Sequence, residues 1–571
     1  MYSGRLSYVG DSVGSQQQFI DSSELPFPDT SETVGFMDAF ILNDPLDGEQ
    51  TNLEDLSGLS ELGHFGLDIQ TPFQVPDLGA KASNPFCSTA AHTASEQLPS
   101  STGSAIIATE PNLEYPPFLA NHLFQLFFQS VQGFLPLFHK PRLCDEFSTH
   151  FDGTDSGYED LSITSAILLN SMFALSARFS EWVPCCDVNP RDRGAPFASR
   201  AQALWREHIT DDEEPSLRLL QCRILLTFYE LTSGPSFRAW QSAGICCRMA
   251  YGLSLHRIDD VDPTQRQDWI ADEERRRAWW AVYQIDNVSS VIACRPFNLD
   301  TSNMEVLLPI SDQAWFSGKF TKSASMSPRG PSEVWRSLQN CENQAPYAWY
   351  LVINELLRSA QRLWDRRARA VDELKVIQSA LQCFALALPS SFCLTAPNMA
   401  FNDDNFVAKN WIICTSILLQ TAQSLVAFSG EVEELRNSSF RLNVEECQRR
   451  LFAACDPNVN NQLRALHLWS PDYVALASPL VTYALLGPAA VHAARWPHRE
   501  ANANKTALRF LEGEILSFVL QRFARFWPVG NVVHQLLDSI RSPSSNTDSK
   551  ATSPNVTWIQ GIMPMIIQSH L

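Results

Sequence analysis

From Pro116 onward, apolar side chains recur every three to four residues, and the alternating β-branched runs typical of strands are nearly absent. This spacing predicts an all-α fold in which many helices pack into one large body. The predicted helices cover 117–133, 159–179, 197–209, 215–232, 236–252, 271–293, 345–385, 404–429, 444–454, 471–486 and 505–526. The predicted turn-rich breaks lie at 181–196, 310–332, 388–403 and 541–556.

The helical region is predicted to have two parts. Residues 116–310 contain the most distinctive motifs, and residues 333–571 form a C-terminal helical half with a Ser/Pro-rich linker at 541–556. Loops as long as 310–332 are uncommon inside a compact domain. We therefore expect this segment either to be mobile or to divide two helical subdomains.

One uncharged run, from Tyr473 to Arg495, approaches the length of a membrane span. Pro479 and Pro488 interrupt it, and proline breaks the interior of a helix. The run therefore predicts a buried helix pair broken at proline, and we expect no membrane partner.

Residues 1–110 contain 16 Asp and Glu but only two basic residues, Arg5 and Lys81, which gives −14 of the chain's net charge of −20. Apolar residues occur there singly or in pairs, so the segment is predicted to be disordered. At 35–48 and 53–69, Phe, Leu, Ile and Met are interleaved with acids. This pattern fits an acidic activation region, and an ordinary solvated linker is the alternative.

The charge and the cysteines restrict the kinds of site that are expected. Nucleic-acid surfaces are rich in Lys and Arg, which neither half of this acidic chain offers in bulk. The 14 cysteines are scattered, and the pairs Cys185–Cys186 and Cys246–Cys247 have no second pair at ligand spacing. We expect buried, reduced thiols in an intracellular protein, and no metal site.

The helix predicted at 271–293 is expected to be central. It begins with acids, continues with three arginines and then presents large aromatic and aliphatic residues on one broad face. Asp286 lies seven residues after Trp279 and so on the same side, near the interior. A buried carboxylate must be paired. The predicted partner, in a structural ion pair, is Arg248, Arg276 or Arg295.

Four motifs occur in a fixed order: FLPLFHKP at 134–141, AWQSAGICCRMAYGLSLHR at 239–257, DEERRRAWWAVYQIDNVSSVIACRP at 272–296, and LLP at 307–309. In this order they resemble the fungal-specific transcription factor domain. The matching signature positions, for which we expect structural roles, are Pro136, His139, Pro141, Gly244, Arg248, His256, Arg257, Arg276, Arg277, Trp279, Trp280, Tyr283, Asp286, Arg295, Pro296 and Pro309.

The resemblance implies a helical regulatory domain that restrains or transmits activation and responds to a metabolite or a partner. It also implies a nuclear protein, or one that shuttles with the cytoplasm, that regulates one pathway such as a secondary-metabolite gene cluster. Members of the family usually begin with a six-cysteine zinc cluster or zinc fingers, whereas only Cys87 precedes residue 144 here. We therefore expect no zinc cofactor and no direct DNA contact from this chain, unless an upstream segment is missing.

The expected partners are the transcription machinery or a DNA-bound transcription factor. One alternative is a protein that does not bind DNA itself and that joins or sequesters a zinc-cluster factor. The sequence leaves both a homodimer and a heterodimer as alternatives. No sustained heptad pattern indicates a coiled coil, so either dimer would form through the helical domain.

A metal-dependent helical enzyme is a further alternative. The acidic strings at 211–214 and 259–262 resemble diphosphate-binding turns, but no second ligand motif accompanies them. Acids that cap helices explain them better, and no catalytic residue or enzymatic activity is expected. His139 and His256 are predicted to be core or capping groups rather than metal ligands.

A row of arginines follows one face of the predicted 345–385 helix: Arg358, Arg362, Arg366 and Arg369. The row fits either a phosphate- or partner-binding stripe or a solvated face balanced by neighbouring acids. We expect the solvated face.

Overall fold

The computed structural model describes residues 116–151, 161–182, 187–209, 214–260, 268–293, 295–326, 330–364, 371–438, 443–487 and 503–541. Residues 1–110, with the predicted activation region, lie outside the described residues, as does the predicted linker beyond Arg541. Within the described part the fold is all-α, as predicted, apart from one isolated antiparallel bridge between Leu307 and Ser325.

The α-helices are α1 Pro117–Ser130, α2 Lys140–Phe151, α3 Ile163–Ser176, α4 Ala195–His208, α5 Leu217–Ser233, α6 Phe237–Gly252, α7 Trp269–Ala293, α8 Asp312–Phe316, α9 Arg336–Gln339, α10 Pro346–Trp364, α11 Val371–Ala387, α12 Phe406–Asn437, α13 Val444–His467, α14 Ala503–Phe526 and α15 Pro528–Arg541. Short 3-10 helices lie at Ala177–Phe179, Pro190–Asp192, Leu255–Arg257, Ser390–Phe392, Val474–Leu476 and Pro479–Leu485.

Serine caps fix where three of the core helices begin. The hydroxyls of Ser162, Ser216 and Ser236 each accept a hydrogen bond from the backbone N–H three residues later, at 3.1–3.2 Å. These bonds satisfy N–H groups that the first turn of a helix leaves without partners.

The core is continuous from α1 to α15. Helix α7 packs against α5, α6 and α10, and α10 packs in turn against α12, which lies along α13. Trp279, Trp280 and Tyr283 on α7 are completely buried. At about 2 kcal/mol for each large apolar side chain removed from water, this face contributes strongly to the stability of the body.

Prolines account for several differences from the predicted elements. Helices α2 and α15 were not predicted, because each has a proline in its first turn, where the missing N–H is tolerated. Helix α13 likewise continues through Pro457 to His467. The predicted 471–486 helix is wrong, since that segment forms two 3-10 helices, the second starting at Pro479.

The single helix predicted over 345–385 corresponds to two helices, α10 and α11, and residues 365–370 between them lie outside the described residues. The segment after residue 310 is packed as far as it is described. Trp315 is fully buried and its indole N–H donates to the carbonyl of Ile270 at 3.1 Å.

Of the described helices, α12 alone is long and apolar enough to cross a membrane. Most of its apolar stretch is buried by neighbouring helices. This is the environment of a core helix.

Candidate functional site

Segments that contain or directly follow three of the four sequence motifs meet at the guanidinium of Arg277, near the start of α7. Its N–H groups donate to the carbonyl of Pro136 at 3.3 Å, to the carbonyl of Ile310 at 2.6 Å and to Glu273 Oε1 at 3.0 Å. The carboxylate of Asp312 accepts a further bond. The Arg277 side chain is fully buried, so this one group ties the 134–141 and 307–312 segments to α7.

Arg276 joins the segment that directly follows the remaining motif to the same place. Its guanidinium binds Asp259 at 2.7 and 2.9 Å, and Asp259 also accepts from the backbone N–H of Leu307 at 2.7 Å. The backbone continues this pairing, because the N–H of Glu305 donates to the carbonyl of His256 at 2.7 Å. Asp259 therefore serves as a buried arginine partner, and the expectation of a helix-capping acid is wrong for this residue.

His139 is a core group. Its Nε2 lies 3.1 Å from the carbonyl oxygen of Trp315, and its Nδ1 accepts from the backbone N–H of Arg142 at 3.3 Å. The ring packs edge-on against Trp315, which also carries the Arg277 guanidinium on its face at 4.1 Å. Burial lowers the pKa of His139, so the imidazole is neutral at physiological pH.

The paired tryptophans bridge the motifs. The Trp280 indole N–H donates to the carbonyl of Leu307 at 2.8 Å. The Trp279 ring contacts Tyr251 and the half-buried His256 on the α6 side. Pro309 follows in the same buried segment, and its carbonyl accepts from the Asn343 side chain at 2.9 Å. Other signature residues are exposed at the surface: Pro141, Arg248, Arg257, Arg295 and Pro296.

Small side chains on α6 would allow a neighbouring helix to pack closely against it. Ala243 and Cys247 are buried as that requires. Gly244 does not contribute, because a Cβ atom at this position would meet nothing within 4 Å.

Asp286 is buried and paired, as predicted. Its carboxylate accepts from the Asn298 backbone N–H at 3.1 Å, the Asn298 side chain at 2.8 Å, the Leu299 N–H at 3.0 Å and the Ser290 hydroxyl at 3.2 Å. Its cationic partner is Arg358 on α10, at 3.6 Å with both side chains fully buried.

The predicted identity of that partner was wrong. Arg276 binds a different carboxylate, and Arg248 and Arg295 are exposed. The interpretation of the α10 arginine row as a solvated face was also wrong for Arg358. Its neighbour Arg362 is partly exposed and pairs with an acid on the same helix, while Arg366 and Arg369 lie outside the described residues.

A second polar contact links α7 to α10. The Tyr283 hydroxyl donates to Glu355 Oε2 at 2.8 Å, and the Thr301 hydroxyl donates to Glu355 Oε1 at 3.2 Å. Burial raises the pKa of Tyr283 well above its usual value, so the phenol remains protonated. Sequence reasoning missed Glu355, whose role becomes visible only once α10 is placed beside α7.

The charged side chains described above form one buried polar cluster: Asp259, Glu273, Arg276, Arg277, Asp286, Asp312, Glu355 and Arg358. They bind one another and backbone groups, so the cluster holds segments together and offers no free nucleophile. Within the described ranges, no three His, Cys, Asp or Glu side chains lie close enough together to hold a metal ion. The described cysteines are free thiols. The expectation that they are buried is wrong for Cys383 and Cys393, which are exposed.

Beside the cluster lies a cavity of about 120 Å³ that is mostly apolar. Four helices and the Pro479–Leu485 turn contribute to its wall, with Val288 on α7, Leu357 on α10, Leu425 on α12, Val459 on α13 and Tyr483 on the turn. Sequence reasoning gave no sign of it, since its lining comes from segments distant in the chain.

The family model described as the fungal specific transcription factor domain matches residues 124–363. A transcription factor of Emericella nidulans is 25% identical over 341 residues, which is 55% of this chain and 48% of that protein. A Zn(2)-C6 fungal-type transcription factor of Fusarium oxysporum f. sp. lycopersici is 28% identical over 203 residues, 34% of this chain and 20% of that protein. An uncharacterized transcriptional regulatory protein of Schizosaccharomyces pombe is 26% identical over 219 residues, 37% of this chain and 22% of that protein.

The chain thus spans about half the length of the Emericella relative and about a fifth of the other two. No solved structure matches the chain.

Proposed function

Residues 124–363 carry a fungal specific transcription factor domain, and from this premise we propose that the chain is a fungal transcription regulator that acts in the nucleus through its helical body. The observation that carries the proposal is the convergence of the motifs on Arg277 and Arg276. Their contacts join residues 136, 259 and 310 to one helix within the matched region, and Asp259 in turn binds the backbone of Leu307. The regulated genes would belong to one pathway, such as a secondary-metabolite cluster.

The helical body extends past the matched region. Helix α10 ends at Trp364, α12 packs against α10, and α13 packs against α12. We therefore propose that residues 333–571 are the C-terminal half of the same regulatory domain, with residues 1–110 as the activation region that it governs.

A reporter gene tests this proposal. The full chain is fused to a foreign DNA-binding domain and brought to a promoter that carries the matching sites. We expect reporter expression to change, and a full-chain variant with Phe40→Ala and Ile41→Ala to lose most of the change, because these apolar residues lie within the acidic 35–48 segment. Matched exchanges at Phe19 and Ile20, outside that segment, should have little effect.

A fusion that leaves the reporter at its basal level would refute the role as a regulator. A change that survives Phe40→Ala and Ile41→Ala would leave the regulator in place and remove the 35–48 segment from its mechanism. Fluorescence imaging of the tagged full chain tests the proposed nuclear location, with shuttling visible as signal in both compartments.

The second candidate is a regulator that reaches DNA only through a zinc-cluster partner. The distribution of cysteines in this chain favours it, because the sequence offers no six-cysteine cluster. Binding of the purified chain to promoter DNA at moderate salt separates the two. Direct binding would contradict the second candidate, whereas binding only after a zinc-cluster factor is added would support it.

A further inference from the structure

An open polar cleft of about 460 Å³ lies on the outward side of α6. It is lined by Arg223 on α5, by Arg238 and Arg248 on α6, and by Asn298 in the segment after α7. No acidic side chain of the described residues lines it. The chain carries a net charge of −20, so three arginines around one cleft without acids call for an explanation. We call this feature the arginine cleft.

Within the described structure, one of the three arginines is neutralised by a neighbouring carboxylate. Arg238 Nε lies 2.9 Å from Glu230 Oε1. Arg223 donates from Nη2 to the Ser242 hydroxyl at 2.9 Å, which holds its guanidinium in the wall without cancelling its charge. Arg248 is exposed, and neither it nor Arg223 forms an ion pair with another described residue. The arginine cleft therefore keeps two unbalanced positive charges.

Gly244 keeps the arginine cleft open. It lines the cleft from the middle of α6, and a Cβ atom at this position would meet nothing within 4 Å. A glycine inside a helix costs about 1 kcal/mol relative to alanine, and packing does not require one here. The missing side chain leaves room one turn before Arg248, on the same face of the helix. A ligand in this space can reach the Arg248 guanidinium.

An aromatic ring also borders the arginine cleft. Trp240 is half-buried in the wall, and the guanidinium of the exposed Arg295 lies 6.0 Å from the centroid of its ring. The exposed Gln241 adds an amide that can both donate and accept hydrogen bonds. The cleft therefore combines positive charge with an aromatic surface.

The charge and the donors suit a phosphate monoester. Its phosphate carries a charge of about −1.5 to −2 and has three acceptor oxygens, which matches two arginines without counter-ions. A guanidinium binds phosphate through two parallel hydrogen bonds. A single carboxylate has one charge and two oxygens, so it would leave one of the arginines unbalanced.

The volume favours an organic ester over a free phosphate ion. Small-molecule sites measure roughly 300–1,000 Å³, and the arginine cleft falls within that range at about 460 Å³. A ring beside Trp240 would fill space that a phosphate ion leaves to water. The ligand class that fits is thus a phosphomonoester with an aromatic or heterocyclic body.

We propose that the arginine cleft binds a small phosphomonoester of this class, with its phosphate at Arg223 and Arg248 and its ring beside Trp240. The cleft lies inside the region that the family model matches. A transcriptional response to the ligand would rest on the proposed function, whereas binding itself does not.

Calorimetry on the purified full chain tests the site, with phenyl phosphate as the probe. We expect saturable 1:1 binding that weakens as salt is added, because salt screens the arginine charges. Inorganic phosphate and benzoate should each bind at least about tenfold more weakly, since one lacks the ring and the other has a single charge. No binding of phenyl phosphate up to about 10 mM would overturn the proposal. Reporter activity does not enter this measurement, so its failure is separate from that of the proposed function.

Two further outcomes would overturn the ligand class. Inorganic phosphate that binds as tightly as phenyl phosphate would mean an adventitious ion only. A glycine-flanked phosphoserine peptide that binds at least about tenfold more tightly than phenyl phosphate would make the cleft a docking site for a phosphorylated protein.

Filling the arginine cleft locates the bound probe. Gly244→Leu places a side chain in the open space and should abolish binding of phenyl phosphate, while the better helix propensity of leucine keeps α6 folded. Gly430→Leu is the matched control, because a Cβ atom at Gly430 on α12 would also meet nothing within 4 Å and this residue does not line the cleft. The control should bind like the wild type, and melting curves show that both variants fold. Undiminished binding by folded Gly244→Leu would overturn the assignment.

Removing one charge tests the role of the arginines. Arg248→Gln should lower the affinity for phenyl phosphate at least about tenfold, the effect of one charge-assisted hydrogen bond. Arg275→Gln makes the same change of charge at an exposed position on α7 that does not line the cleft, and it should change the affinity by less than about twofold. Equal losses in the two variants would mean that only the net charge of the chain matters, which would overturn the site.

Discussion

Replacing Asp286 by alanine tests the buried pairing between α7 and α10. The substitution removes a carboxylate that accepts hydrogen bonds from Ser290, Asn298 and Leu299. It also leaves Arg358 buried without its counter-charge, although the guanidinium keeps bonds to the Asn287 side chain and the Leu299 carbonyl.

The expected cost follows from these contacts. Removing one partner of a buried ion pair costs about 3–5 kcal/mol, and each buried donor left without an acceptor costs about 1–3 kcal/mol. These figures describe the same lost carboxylate and are not summed. We expect the free energy of unfolding to fall by about 4 kcal/mol. For a helical body of this size, that loss lowers the melting temperature by roughly 4–8 °C.

Thermal melting of four chains gives a double-mutant cycle: wild type, Asp286→Ala, Arg358→Leu and the double variant. Once Asp286 is gone, Arg358→Leu removes the uncompensated buried charge, so the double variant should lose at least 1 kcal/mol less than the sum of the single losses. Arg275→Ala is the matched control, since Arg275 is exposed on the same helix, and it should change stability by no more than about 0.5 kcal/mol.

The reasoning is refuted if Asp286→Ala melts like Arg275→Ala. Additive losses for Asp286 and Arg358 would also refute it, because additivity means that the two side chains do not interact.

Three further results are expected. Arg277→Met should lower the free energy of unfolding by about 3–5 kcal/mol in denaturant titration, because it leaves Glu273 buried without this partner, and a loss below about 1 kcal/mol would contradict the Arg277 contacts. Burial lowers the pKa of His139, so the unfolded chain takes up the proton first and stability falls as pH drops through about 6.5. His139→Gln should make melting temperature less dependent on pH between about 7.5 and 5.5, and an unchanged slope would contradict this. In the folded chain, iodoacetamide should label exposed Cys383 but not Cys246, whose pKa burial raises to about 11; equal labelling, read by mass spectrometry, would contradict the burial.

The helical spacing of apolar residues was sufficient to predict an all-α body and the burial of α7. Trp279 and Asp286 share a face of that helix, so their burial followed from periodicity. Prolines limited the rest, because Pro141 and Pro528 lie in the first turns of helices, where proline is tolerated, while proline elsewhere usually ends a helix.

Long-range partners could not be predicted in the same way. Periodicity shows which residues share a helix face but not which helix lies opposite, so the sequence did not distinguish Arg358 from the exposed Arg248. One signal was available, since Arg358 follows Tyr350 and Asn354 at helical spacing and all three are buried. The cavity left no such signal, because its lining residues come from five separate elements.

The central claim is that the sequence motifs close around one buried helix, α7. Hydrogen–deuterium exchange of the full chain, followed by mass spectrometry, tests this claim most directly. The amides of residues 276–292 should be among the slowest to exchange, at the rate of global unfolding. Exchange of these amides within seconds, as in a helix that faces solvent, would contradict the account.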